Sequence, residues 1–223
     1  MATALGGRFL DEAGQPVGPG GTALPSLAHI DLTEVHARWR AIEVIGVTDV
    51  DNPLYGPTGA SAVFAPQKGA TPEDVWDLDR SLAHLAAVAA RDLGLDRSRE
   101  RGAGAAGGLG FGLLAFLGAR LRPGVDVVME AVAFEASLRA ADLVITGEGS
   151  LDEQSLRGKV PAGVLAAARR AGVRTAILCG VASVSIDDTI IRTLQDRVGL
   201  TAAMSDARRS LELVAAELAG EVG

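Results

Sequence analysis

The 223 residues are 48% hydrophobic and 22% charged, enough to bury one large core or two small ones. The net charge of −7, with no run of lysine or arginine, argues against a nucleic-acid surface. A single cysteine, Cys179, excludes a disulfide framework and a CxxC metal knuckle, and no apolar run approaches the ~20 residues that cross a bilayer. A reducing cytoplasm is the expected setting, and the first residues lack the charged-then-apolar layout of a signal peptide.

Residues 1–30 are rich in glycine and proline, with a turn cluster at 16–21 (PVGPGG). Residues 41–48 (AIEVIGVT) are apolar and β-branched and predict a buried strand, which 49–53 (DVDNP) ends. Thr71 as cap, Pro72 in the first turn, and Glu73 and Asp74 beside the positive dipole end predict a helix. It runs to about Leu93, where Gly94 suits a left-handed stop. After a charged loop at 95–101, the glycine-rich stretch 102–112 leads into a helix ending near Leu121, and Pro123–Gly124 makes a turn. Residues 125–140 open with strand-like alternation and continue with helical spacing, which favours helix. Strand 142–146, helix 161–171, strand 173–179, helix 187–198, a short strand 200–204 and an amphipathic helix 206–218 complete the chain. The alternation predicts an α/β protein of layered parallel sheets.

The segment 147–160 stands out. It reads as a long polar loop, and Glu148, Asp152, Glu153, Gln154, Arg157 and Lys159 crowd into it. Strand-to-helix connections are usually a few residues long, and ligands bind at the carboxyl ends of parallel strands. Glu148 and Asp152 could take a hydroxyl proton or bind a metal, or could serve only as turn and cap. Gly158–Lys159 is not a Walker A ending, because the glycine spacing is too long and Val160 replaces the Ser/Thr. Lys159 could still aim its ammonium at a phosphate or carboxylate.

Three other clusters carry candidate chemistry. Gly102–Gly107 (GAGAAG) fits GxGxxG, but a dinucleotide fingerprint follows a strand, and here a charged loop precedes it. Gly104, Gly107 and Gly108 could instead form an anion cradle ahead of a helix, or simply a close-packed turn. Asp49 and Asp51, with Asn52, could hold Mg²⁺ or form an Asx-Pro turn. Lys68 precedes the capped helix and could counter anionic charge. His29, His36 and His84 show no ligand spacing, and Cys179 reads as a small buried hydrophobe.

Four segments together resemble the type I glycerate kinases (glycerate 2-kinase-like). They are 8–21 (RFLDEAGQPVGPGG), 49–73 (DVDNPLYGPTGASAVFAPQKGATPE), 102–124 (GAGAAGGLGFGLLAFLGARLRPG) and 141–164 (ADLVITGEGSLDEQSLRGKVPAGV). The likeness covers most of residues 1–180. It implies ATP-dependent phosphorylation of a hydroxyl of D-glycerate with Mg²⁺, in two α/β domains that close on a cleft. Residues 1–140 would be an inserted α/β domain with the glycine-rich loop, and 141–223 a Rossmann-like or flavodoxin-like carboxyl-terminal portion. Chemistry and position, rather than the likeness itself, make Asp152, Lys159 and Glu148 the catalytic candidates. On the same ground Gly104, Gly107, Gly108, Lys68, Gln154 and Arg157 are expected to bind substrate or nucleotide, and Asp49 and Asp51 to hold the metal. The family's APDSFKGS-like and GGSATNDGG-like segments are not among these residues, so the fold is expected to be incomplete relative to the two-domain kinase. The alternatives are an inactive kinase fragment and a dinucleotide-binding oxidoreductase. Uncovered apolar faces predict self-association into a homo-oligomer.

Overall fold

The computed structural model describes residues 1–39, 41–153, 155 and 160–222. They form two compact units, Met1–Pro123 and Gly124–Gly223. In the first, β1 (Arg8–Leu10) pairs antiparallel with β2 (His29–Asp31), and the Arg8 guanidinium donates to Asp31 across the ladder. Then come α1 (Thr33–Trp39), β3 (Ile45–Val47), α2 (Ala60–Phe64), α3 (Pro72–Leu93), α4 (Ala105–Leu117) and β4 (Arg120–Arg122), which runs parallel to β3.

Helix α3 follows its sequence signals. Thr71 accepts from the Asp74 N–H, Asp74 reaches back to the Thr71 N–H, and Gly94 closes the helix at φ 71°. Strand β3 is shorter and less buried than the sequence suggests. Ile45 and Val47 point outward, and only Gly46 is buried. A Cβ on Gly46 would lie 2.4 Å from the Leu121 side chain, so the inner face is a glycine against leucine. Helix α4 stops at Leu117, short of the expected Leu121. Gly118 turns left-handed there and frees Arg120–Arg122 to pair with β3. Leu54, Val35, Ala89, Ala103 and Phe111 are buried completely in this unit's core, and Phe116 meets both Phe9 and Phe111 edge-on.

The second unit holds α5 (Gly124–Ala131), α6 (Phe134–Leu138), β5 (Leu143–Leu151), α7 (Val160–Ala171), β6 (Arg174–Ala182), β7 (Thr189–Thr193), α8 (Leu194–Val198), α9 (Leu200–Ser205) and α10 (Ala207–Val222). The sequence suggests a boundary at 140. The compact unit begins at Gly124, because α5 and α6 pack on α7. Its sheet is parallel, in the order β5-β6-β7. Ala176 and Leu178 of β6 face Leu194, Ala203, Val214 and Leu218, while Ile177 and Cys179 face Leu151 and Leu165. This period-2 division places helices on both faces, as parallel sheets require.

Two local expectations fail here. Residues 189–193 are strand rather than helix, and the cap of the following helix is Thr193, whose hydroxyl accepts from the Asp196 N–H at 3.0 Å. Residues 200–205 are helix rather than strand, tucked against α8 and α10. Short apolar runs fit either period, and packing decided both.

Asp92 ties α3 to β2 by accepting the Ile30 N–H at 2.8 Å. The Arg91 guanidinium and that amide hold the Asp92 carboxyl below the usual carboxylate range, and Arg8 and Thr33 do the same for Asp31. A carboxylate favoured in its charged form stabilises the fold while ionised. Its contribution is complete above the unfolded value near ~4 and is lost as pH falls through the depressed folded value. The urea midpoint should therefore hold steady from neutral pH to about 5 and fall steeply below about 4. Asp92→Ala should cost about 1–3 kcal/mol at neutral pH by orphaning the Ile30 amide, measured by urea unfolding.

Candidate functional site at the carboxyl end of the parallel strands

Strand β5 extends further than the alternation of its sequence suggests. Its last residues, Ser150 and Leu151, pair with Val181 and Ala182 of β6. Glycines make this possible. A Cβ on Gly180 would lie 2.5 Å from the Gly149 carbonyl oxygen, so the two backbones approach as only glycine allows. The first part of the expected loop is thus strand, and the polar connection begins at Asp152.

Glu148 is half-buried within β5, opposite Cys179. Asp152 is half-buried at the strand's end. Its Oδ1 accepts the Ser155 N–H at 2.9 Å. Both carboxylates therefore lie along the carboxyl end of one parallel strand, where α/β sheets bind ligands. Gln154, Arg157 and Lys159 lie outside the described residues. Burial pushes the Cys179 thiol up, which suits a packing residue rather than a nucleophile.

In the amino-terminal unit the structure brings Lys68 and Gly107 together. They line one cavity of about 230 Å³ with Ser61, Ala65, Phe64 and Leu82. The segment ahead of Gly102 is a succession of turns, not a strand. Ala106, Gly107 and Gly108 are all left-handed, at φ 49°, 70° and 100°, so the regular helix starts only after them. The strand–turn–helix context of a dinucleotide fingerprint is not present. Gly104 does a different job from Gly107. Its N–H is committed to the Asn52 carbonyl at 2.8 Å, and a Cβ there would lie 2.3 Å from the Pro53 carbonyl oxygen. It packs the two loops together rather than presenting an amide to a ligand.

Asp49 and Asp51 are exposed just beyond β3. Arg101 takes the Asp51 carboxylate with two nitrogens, at 3.1 and 2.6 Å. Among the described residues, no three His, Cys, Asp or Glu side chains converge on a metal position. Nearby, Asp79 of α3 accepts the Gly56 N–H at 2.8 Å, and Arg99 lies over the Tyr55 ring at 4.4 Å. These contacts brace the loop 52–59. Nothing in the sequence marks Asp79 for that duty. Ser155 was also silent, although its spacing from Asp152 matches a side-chain turn.

A model of the glycerate kinase family matches residues 1–222. The chain belongs to the glycerate kinase family. It is 43% identical to a glycerate kinase of Bacillus subtilis (strain 168), covering 100% of this chain and 60% of the relative. It is 43% identical to a glycerate 2-kinase of Escherichia coli (strain K12), covering 76% of this chain and 45% of the relative. A crystal structure described as glycerate kinase 2 from Salmonella typhimurium LT2 superposes with a TM-score of 0.75 at 41% identity, over 99% of this chain and 60% of that one. The chain thus spans about half to three-fifths of the length of the relatives it matches. Among the described residues no helix is long and apolar enough to cross a membrane.

The two glycine roles are separable. Gly104→Ala should destabilise the amino-terminal unit by about 1–3 kcal/mol through a backbone clash. Gly107→Ala meets nothing within 4 Å, so only its left-handed backbone opposes it, at about 1 kcal/mol. Thermal melts of both variants give the comparison, and equal losses would contradict it.

Proposed function

We propose that this glycerate kinase family chain serves ATP-dependent phosphoryl transfer to a hydroxyl of D-glycerate, with Mg²⁺. The observation that carries the reading is Asp152, a carboxylate fixed at the carboxyl end of a parallel strand within a chain that matches the family almost throughout. Phosphoryl transfer relies on positioning and charge neutralisation more than on a strong nucleophile. In this reading Asp152 accepts the proton of the glycerate hydroxyl, and Glu148 supports it from the same strand. Lys159 counters phosphate or carboxylate charge, and Gln154 and Arg157 contribute polar contacts from the same connection.

Lys68, with Gly107 and Gly108, forms the second half of the proposal. The cavity of about 230 Å³ beside Lys68 falls below the ~300 Å³ where pockets for larger ligands begin, so it suits one small anionic group rather than a whole nucleotide. Asp49 and Asp51 fit Mg²⁺ only as an ion that keeps most of its waters and phosphate oxygens, since no all-protein cage exists among the described residues. The exposed Arg101 pair on Asp51 is weak enough to give way, because such pairs contribute about 0–1 kcal/mol. When bound, Mg²⁺ supplies charge neutralisation at the phosphates. A cytoplasmic setting belongs to this reading, on the ground that the single cysteine forms no disulfide framework.

The test is ADP release by the purified chain with ATP, Mg²⁺ and D-glycerate. Asp152→Asn should lower kcat at least about tenfold, equivalent to ~1.4 kcal/mol of transition-state stabilisation. Lys68→Ala should act mainly on KM for the anionic substrate. Glycerate-independent ADP release, or full activity in Asp152→Asn, would remove these assignments.

A further inference from the structure

Ser155 has 0% of its surface exposed, although it sits in a polar connection. Most of its hydrogen-bond contacts are with Asp152. The backbone N–H donates to Asp152 Oδ1 at 2.9 Å, and the hydroxyl oxygen lies 3.1 Å from the same carboxylate oxygen. The Asp152 N–H in turn donates to that hydroxyl at 3.3 Å. The hydroxyl also reaches the Ser150 carbonyl at 3.0 Å, so its single proton is shared between the strand and the carboxylate. Across the sheet, the Ser183 N–H donates to the Leu151 carbonyl at 2.9 Å and pins the end of β5 between them.

We propose that Ser155 is a positioning residue for Asp152, holding the rotamer of its carboxylate against the end of β5. The inference rests on the reading of Asp152 as the group that meets the glycerate hydroxyl. A carboxylate on a free rotor must be ordered in each turnover. One held through Oδ1 by an amide and a buried hydroxyl is ordered in advance. A purely structural side-chain turn predicts something different. The backbone N–H bond to Asp152 survives in Ser155→Ala, so the turn persists, while the hydroxyl's contacts with the carboxylate, the Asp152 N–H and the Ser150 carbonyl are lost.

The experiment is a double-mutant cycle on glycerate-dependent ADP release, using Ser155→Ala and Asp152→Asn in the full chain, with thermal melts of all four proteins. The expected result is a loss of about tenfold in kcat for Ser155→Ala, with KM for D-glycerate within about twofold and no further loss when Asp152 is already Asn. Ser155→Thr, which keeps the hydroxyl, should recover part of the rate. An unimpaired Ser155→Ala beside an impaired Asp152→Asn overturns the positioning role and leaves the Asp152 reading standing. Equal losses from Ser155→Ala in both backgrounds also overturn it, as a general structural effect. Full activity in Asp152→Asn, or no turnover from the folded parent chain, overturns the reading of Asp152 and the role of Ser155 together.

Discussion

Strand β6 is the constraint on which the carboxyl-terminal unit depends. Thr175, Ala176, Ile177, Leu178 and Cys179 are all buried, with successive side chains entering opposite layers. A strand buried on both faces must find helices on both sides and strands on both edges, since a buried unpaired backbone group costs about as much as a lost hydrogen bond. β5 and β7 satisfy the edges, and α7 and the α8–α10 group satisfy the faces. The placement of Asp152 follows from this. Because β6 fixes β5 along its whole length, Asp152 leaves a rigid support rather than a loop.

The same logic explains where glycine is needed. In β5 and β6, Gly149 and Gly180 let two strand ends pair more closely than side chains permit. In the amino-terminal unit, Gly110 would place a Cβ 2.0 Å from the Gly102 carbonyl oxygen, and Gly104 is pressed on Pro53. These are contacts of backbone with backbone, which cannot yield as a flexible side chain can. Gly107 is the exception, left-handed with open space around it and facing the cavity beside Lys68. A single glycine-rich word, GAGAAG, thus encodes packing at one end and access at the other.

How much of this was legible in the sequence differs by element. Helix α3 was readable because its signals are local: a threonine cap, a proline at its start and a glycine at its stop. Strand β4, with the sequence RLR, was not, because its partner β3 lies far away in the chain and three residues are too few to establish an alternation. Residues 189–193 misled because Asp187 and Asp188 resemble a helix cap, whereas the pairing of Ile190 and Ile191 with β6 made them strand. In the candidate site, the carboxylates Glu148, Asp152 and Glu153, in and just after β5, announced themselves by composition. Ser155 did not, since a serine in a polar loop is unremarkable until its burial is known.

The two units give the candidate residues different kinds of support. Asp152 has a fixed direction: it leaves the end of a three-stranded sheet, and its Oδ1 accepts the Ser155 N–H at 2.9 Å. Lys68 lines a small cavity in the amino-terminal unit. It sits on a short 3₁₀ turn between α2 and α3, exposed and with a long flexible stem. Asp51 is bound to Arg101 at the surface, where the pair is weak and exchangeable. Under the proposed function, rigidity falls on the group that would meet the hydroxyl, while the exposed groups that would balance charge keep room to adjust.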